Sequence, residues 1–360
     1  MIKIAYVTRQ DAMNSYGGAE TQLTETLDRI NRRGEDIRIE FFDMWHDKLE
    51  EFGVVHIFNP NSFPQEALKI AALAKKRSVR VSLSPICFDS YAFVRSEKGV
   101  VEAALWWSLV RMRRLSPRNK LSQVLDPYRF LEPLLLMSDV ILPNSHEESE
   151  WLRWLFPRIP KHKFEVIPNG VDLRFREGDP SEFRDRYKVE DFVLFVGRVE
   201  KRKNLLRLIR AFVRSRLETK LVVLGEVVDE DYFVLCKREA TDSVLFLPPL
   251  PHDSTTLAAA YKACKVVALP SYYETPRLVG LEAGLAGANV VVTAVGGSKE
   301  YFGELAWYVN PTDERSIEEG IVAAYETPKH TDLSNHIESN YNWDVVAQKT
   351  LRAYRTILSR

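Results

Sequence analysis

Two cations and two carboxylates, each set just after a strand-like run, are the residues of this sequence best suited to chemistry. Arg198 and Lys203 lie in G-R-V-E-K-R-K-N-L, directly after the apolar run Phe192 to Gly197. A helix opening there presents unpaired backbone N–H groups that attract an anion. Arg offers a forked donor and Lys a compact charge, so together they make a clamp for a diphosphate and stabilise it as it departs. Standing alone, the segment is more simply a solvated basic helix start. Glu274 and Glu282 frame E-T-P-R-L-V-G-L-E, which follows K-V-V-A-L-P. Thr275 suits an N-cap and Pro276 a first helical residue, which puts Glu274 in the loop and Glu282 about two turns along the helix. Carboxylates so placed accept hydrogen bonds from sugar or ribose hydroxyls; the alternative is solvent-facing charge, or for Glu282 a cap. Arg277 then falls in the first turn, where a cation opposes the helix dipole unless an anion lies beside it. Either it pairs with a ligand anion, or its stem packs outward and its head stays in water. In S-Y-G-G-A-E, residues 15 to 20, Gly17 and Gly18 let backbone approach a ligand, and Glu20 complements a helix start. A bare Gly-Gly pair is more often only a turn.

These residues need strands and helices to position them. Runs rich in Val, Ile and Leu recur at Ile2 to Thr8, Ile37 to Phe42, Val54 to Phe58, Val79 to Ser84, Val140 to Leu142 and Phe164 to Ile167. A second series follows at Phe192 to Gly197, Lys220 to Gly225, Val244 to Leu247, Lys265 to Leu269, Asn289 to Val295 and Ala306 to Val309. Continuously apolar strands alternating with helices predict parallel sheets covered on both faces. The chain therefore reads as α/β, with two Rossmann-like, doubly wound parallel-sheet domains facing across a cleft. The first covers 1–170 and the second 185–335, with the boundary after the turn I-P-N-G-V-D and the C-terminal helix 343–360 packing back on the first domain. In open parallel sheets ligands sit at the carboxyl ends of strands, where Gly17, Gly18, Gly197, Arg198, Lys203 and Glu274 all fall.

Composition bounds the rest. A chain of 360 residues with 45% hydrophobic content can bury two cores. Fifty basic residues balance fifty acidic ones, so no net field draws the chain to nucleic acid. Cys87, Cys236 and Cys264 are odd in number and lack C-x-x-C spacing, which suits a reducing, cytoplasmic setting. No apolar run approaches the ~18 residues that span a bilayer, so the reading is soluble or peripheral. Asp229-Glu230-Asp231 has the form of a metal-binding D-x-D but precedes Y-F-V-L, where helix capping is the better reading. Ser145 and Glu148 form a capping box rather than part of a triad with His146. The stretch 100–120 is less settled. Its paired Trp106 and Trp107 and its Arg111, Arg113, Arg114, Arg118 and Lys120 suit either a membrane surface or a core helix with a basic end.

In this order and spacing the segments resemble the family-4 group of retaining GT-B glycosyltransferases over nearly the whole chain. The resemblance lies in G-G-A-E, in V-I-P-N-G-V-D, in G-R followed by Lys203, in Glu274 and Glu282 with seven residues between, in G-G-S-K-E at 296–300, and in Tyr341 to Trp343. It implies that Arg198 and Lys203 hold the diphosphate of a nucleotide-sugar donor, Glu274 the transferred sugar and Glu282 the ribose. Arg198, Lys203 and Glu274 would be the catalytic set, with Gly17, Gly18, Gly197, Thr275, Arg277 and Leu278 completing the donor site. It implies neither metal nor cofactor. The partners would be the donor and a glycan or lipid-linked acceptor, met in the cytoplasm or on the inner face of the membrane. The front-face mechanism drawn for such enzymes lets the leaving phosphate oxygen take the acceptor proton, so paired carboxylates of glycosidase type are not required. Two departures stand out. Thr275-Pro276-Arg277 replaces the Gly-Phe-Gly of many relatives, and the loop after Val79 to Ser84 reads P-I-C-F-D where relatives place a histidine. His56, on a strand, is the nearest candidate and reads as packed. Because a fold does not fix a reaction, a GT-B nucleotide-sugar epimerase and a catalytically silent sugar-nucleotide-binding subunit are the competing readings.

Overall fold

The computed structural model describes residues 1–12, 17–115, 128–273 and 278–359. The chain divides into two compact units, Met1–Gly170 with Trp343–Arg360, and Val171–Asn342.

In the first unit, β1 (Ile2–Val7), β2 (Ile37–Phe41), β3 (Val54–Phe58), β4 (Arg80–Ser84) and β5 (Val140–Ile141) form one parallel sheet in the order β2-β1-β3-β4-β5. All five residues of β3 are buried, as a central strand covered on both faces requires. Helices α1 (Gly18–Arg33), α2 (Pro64–Lys76), α3 (Tyr91–Leu115), α4 (Leu131–Met137) and α5 (His146–Leu155) connect or flank the strands. Gly99, at φ 87°, breaks α3 into two helical pieces. The run Phe164 to Ile167 does not form the expected strand. It makes one isolated parallel bridge, Ile141 with Phe164. Glu165 N and Ile167 N bond Ile141 O and Pro143 O, each at 2.9 Å, but Pro143 has no N–H to give back, so the ladder stops at one bridge.

The C-terminal helix Trp343–Leu358 packs against α1. Tyr354 reaches the sheet through Tyr6 Oη at 3.1 Å, and Arg355 is held by Glu35 and Asp36 at 2.5 and 2.6 Å. Gly170 is needed for this return, because a Cβ there would sit 2.4 Å from the Trp343 ring.

The second unit holds α6 (Pro180–Tyr187), β6 (Val193–Val196), α7 (Leu205–Ser215), β7 (Leu221–Leu224), α8 (Glu230–Glu239), β8 (Val244–Leu247), α9 (Thr255–Ala263), β9 (Val266–Leu269), α10 (Leu278–Leu285), β10 (Asn289–Thr293) and β11 (Trp307–Val309). Its six strands are parallel, in the order β11-β10-β9-β6-β7-β8. Read from the other edge, this is the third, second, first, fourth, fifth and sixth strand, the order of a dinucleotide-binding sheet. The crossovers reverse direction between β6 and β9, so the crevice for a ligand lies beyond the carboxyl ends of those two strands. In the first unit the corresponding reversal falls between β1 and β3.

Candidate active site

The residues beyond β6 form a fixed loop. Gly197 has φ 152°, and Lys201–Lys203 make one 3₁₀ turn before α7. Val199 is pinned by its N–H to Glu226 O at 2.8 Å. Asn204, in left-handed conformation at φ 62° and buried, donates from Nδ2 to Pro270 O at 2.9 Å and to Pro311 O at 2.7 Å. The Tyr272 N–H bonds Arg202 O at 3.1 Å, and the Arg207 guanidinium meets the Tyr272 hydroxyl. The loop after β6 is thus tied to the segment after β9, across the point where the crossovers reverse. Arg198 is exposed on this loop, and the stem of half-buried Lys203 folds back beside Gly197, its Cε 3.6 Å from where a Cβ there would stand. Both expected cations therefore stand at the predicted ligand crevice of this unit.

Glu274, Thr275 and Arg277, with Pro276, lie outside the described residues. The helix is described from Leu278, itself buried, and Glu282 sits one turn in. Glu282 is neither solvent-facing nor a cap. It is 3% exposed, and its carboxylate accepts from His252 Nε2 at 2.7 Å and Tyr261 Oη at 2.8 Å. Burial and the adjacent carboxylate push the Tyr261 hydroxyl well above the usual phenol range, so it stays a donor. His252 was not among the expected site residues. The P-P-L-P-H-D segment carries no spacing that points to Glu282, thirty positions on.

In the first unit Gly17 is the extended N-cap of α1 and Gly18 its first residue. With φ −153°, Gly17 uses no glycine-only conformation. Glu20, nearly buried, is met by Arg9 Nη2 at 3.3 Å. His56 is packed on β3: it is buried between Ser84 Oγ, 2.9 Å from Nε2, and Tyr354 Oη, and burial drives its pKa down to about 3. Ser145 caps α5 by accepting from the Glu148 N–H at 3.0 Å, but Glu148 does not complete the box. Its buried carboxylate instead takes the backbone N–H groups of Cys87 and Asn144, each at 2.7 Å, clamping the loops after β4 and β5. Burial raises this carboxyl to about 7. Asp229 is an N-cap that accepts from Tyr232 N, as its position predicts. All three cysteines are buried free thiols, and burial pushes Cys236 and Cys264 to about 12.

Residues 181–341 match the family described as glycosyl transferases group 1. The match falls wholly within the second unit. The group 1 domain contains Gly197, Arg198, Lys203, Leu278 and Glu282 together with the crevice that gathers them. A curated relative, the D-inositol 3-phosphate glycosyltransferase of Kribbella flavida, is 34% identical over 256 residues, covering 64% of this chain and 60% of the relative. The chain thus spans less than two thirds of that relative's length. Among solved structures, sucrose-phosphate synthase from Thermosynechococcus elongatus superposes with a TM-score of 0.75 at 17% identity over all of both chains. Anabaena HepE, solved with UDP and glucose, gives 0.68 at 14% identity over 99% of this chain and all of HepE. At these identities the likeness shows the fold, two parallel-sheet α/β domains of the GT-B kind.

Proposed function

We propose that the chain is a retaining, metal-independent glycosyltransferase that moves a sugar from a nucleotide diphosphate donor to a hydroxyl of a glycan or lipid-linked acceptor. The observation that carries this reading is the loop Gly197–Lys203 of the group 1 domain, which holds two cations at the reversal point of a dinucleotide-type sheet. In this reading Arg198 and Lys203 neutralise the departing diphosphate, Glu274 takes hydroxyls of the sugar, and Glu282 takes those of the ribose. The C–O bond to the diphosphate breaks as the acceptor oxygen approaches from the same face, and the acceptor proton passes to the leaving phosphate oxygen. The protein supplies position and charge rather than a nucleophile. Slow hydrolysis of one member of a panel of nucleotide sugars, releasing the diphosphate, tests the reading without knowledge of the acceptor. An epimerised donor recovered with its diphosphate bond intact would favour the epimerase, and binding without turnover the silent subunit.

The clamp is cationic, so turnover is expected to survive EDTA with less than about a twofold change, since Arg and Lys do the work of a divalent ion. Activity that vanishes with chelator and returns with Mn²⁺ would refute metal independence.

The membrane reading takes a different form from the one the tryptophans suggested. Trp107 stacks with Trp154 and Trp151 at 5.3 and 6.3 Å between centroids, and the Trp106 and Trp107 side chains are half-buried. The outward groups of α3 are instead Val101, Leu105 and Met112, 74%, 61% and 40% exposed, opposite the fully buried Ala103 and Val110. Their spacing of four and seven places them on one stripe, while Arg114 turns away from it, its Cζ 4.9 Å over the Trp154 ring. Residues 116–120 lie outside the described part, and no described helix is long and apolar enough to cross a membrane. The proposed contact is peripheral, an apolar stripe on a helix whose last turn is basic in sequence, with Arg111, Arg113 and Arg114. Vesicles containing phosphatidylserine should retain the protein at low salt, and Val101→Ser, Leu105→Ser and Met112→Ser combined should cut retention severalfold without lowering the melting temperature. Equal retention of both proteins would remove this face from the proposal.

A further inference from the structure

Glu282 is the inner end of a directed chain of hydrogen bonds. The Arg174 Nη2 lies 3.2 Å from His252 Nδ1 and donates to the His252 carbonyl at 2.8 Å. A guanidinium only donates, so Nδ1 is the acceptor and the imidazole proton resides on Nε2. That proton is the one offered to Glu282 Oε1 at 2.7 Å, while Tyr261 serves Oε2. The side chains are braced by one ring: Phe175, fully buried, has Arg174 Cζ 4.8 Å above it and meets His252 and Tyr261 edge-on at 5.6 and 5.5 Å. Arg174 and Phe175 belong to the short 3₁₀ turn Leu173–Arg176, opened by Asp172 accepting from Arg174 N. The turn after I-P-N-G-V-D therefore reaches the group 1 site through His252. His252 is the outer member, its side chain 31% exposed against 4% for Glu282.

A carboxylate has about four lone-pair sites, of which the imidazole and the phenol each occupy one on a different oxygen. One site on each oxygen is left, the pattern that matches two adjacent hydroxyls. We propose that Arg174 and His252 are positioning residues of the nucleotide site, which hold the Glu282 carboxylate so that its two remaining lone pairs take the vicinal 2′- and 3′-hydroxyls of a ribonucleoside diphosphate. The inference rests on the ribose role of Glu282 proposed above. It assigns to His252 and Arg174 the selection of ribose against deoxyribose, which they exert through the carboxylate they hold.

The test is calorimetric titration of UDP, GDP and ADP, followed by the 2′,3′-dideoxy counterpart of the tightest of them. Wild-type protein should prefer the ribonucleotide by at least about tenfold, the scale of hydrogen bonds to a charged acceptor. His252→Leu, which removes the donor, should bring the two affinities within about threefold, mainly by weakening the ribonucleotide. His252→Gln, which keeps an N–H near the Nε2 position, should restore most of the preference, a rescue that mere space filling would not produce. If His252→Leu does not fold, as judged by its melting curve, Arg174→Met serves instead and should also narrow the ratio. A full ribonucleotide preference in whichever folded variant is measured overturns the positioning role. Full preference in Glu282→Gln overturns the ribose role of Glu282 itself, and the inference with it. Failure of wild-type protein to bind all three diphosphates overturns the proposed function.

Discussion

Arg198→Ala and Lys203→Ala are each expected to lower turnover on the accepted nucleotide sugar about a hundredfold, the usual cost of removing one donor aimed at developing charge. The melting temperature of Arg198→Ala should stay within about 1 °C, because surface substitutions away from packed features change stability by less than ~0.5 kcal/mol. The expectation follows from how the loop is built. Its shape is held by Val199, by the buried Asn204 bridging to Pro270 and Pro311, and by Tyr272, none of which depends on the charge at 198 or 203. Arg198 is exposed on that frame, so its removal costs the frame little. The diphosphate gains charge as the sugar leaves, so both losses should fall on kcat/KM, with kcat reduced as well as KM raised. Lys203→Arg should recover less at its position than Arg198→Lys does at 198 if the loop beside Gly197 admits a compact ammonium but not a planar fork. Initial rates of diphosphate release, measured beside melting curves, decide the matter. A variant with near-normal rates takes that residue out of the clamp.

Much of this organisation is legible in sequence because parallel strands leave a strong local mark. Val193–Val196, Leu221–Leu224 and Val266–Leu269 are apolar at almost every position, and the glycine after β6 marks where the chain must turn. What sequence order does not carry is spatial order. Nothing in the runs themselves says that β6 lies between β7 and β9, and it is this neighbourhood that brings Arg202 and Asn204 to the Pro270–Tyr272 segment. Side chains whose partners are distant in the chain are illegible for the same reason. Glu148 shows the capping-box spacing with Ser145, yet its carboxylate is taken by the N–H of Cys87, sixty-one positions earlier. Trp106 and Trp107 carry the composition of an interfacial segment, but Trp107 is engaged by Trp151 and Trp154 from a helix later in the chain. Phe164 to Ile167 has strand composition, but the segment it pairs with carries Pro143, which gives no N–H in return. His252 offers no periodic or motif signal at all. Its role depends on α9, α10 and the turn at Arg174 meeting in three dimensions.

Gly225→Ala is expected to be the most damaging single methyl group that can be added near the site. Gly225 directly follows β7, and a Cβ built there would lie 1.9 Å from the Gly197 carbonyl oxygen, 3.0 Å from its carbon and 3.8 Å from Arg198 N. The obstacle is backbone, so no rotamer change relieves it. Either the end of β7 or the start of the Gly197–Lys203 loop must move by more than 1 Å, which is on the order of the misplacement that costs a hundredfold in rate. Overpacking of this kind destabilises by about 1–3 kcal/mol, or roughly 2–4 °C per kcal/mol for a unit of this size. The more telling comparison is Gly320→Ala, in the helix Glu314–Glu326. Its added methyl meets the Val309 side chain at 2.4 Å rather than a main-chain oxygen, and Gly320 lies on no loop of the candidate site. Both variants should melt earlier than wild type, but only Gly225→Ala should lose nucleoside diphosphate affinity, by tenfold or more on the order expected for a displaced charge-assisted contact. Titration of the same diphosphate into the three proteins below their melting transitions separates the outcomes. Undiminished affinity in Gly225→Ala would mean that the carbonyl of Gly197 can shift without disturbing the ligand, and the loop would then lose its place at the centre of the donor site.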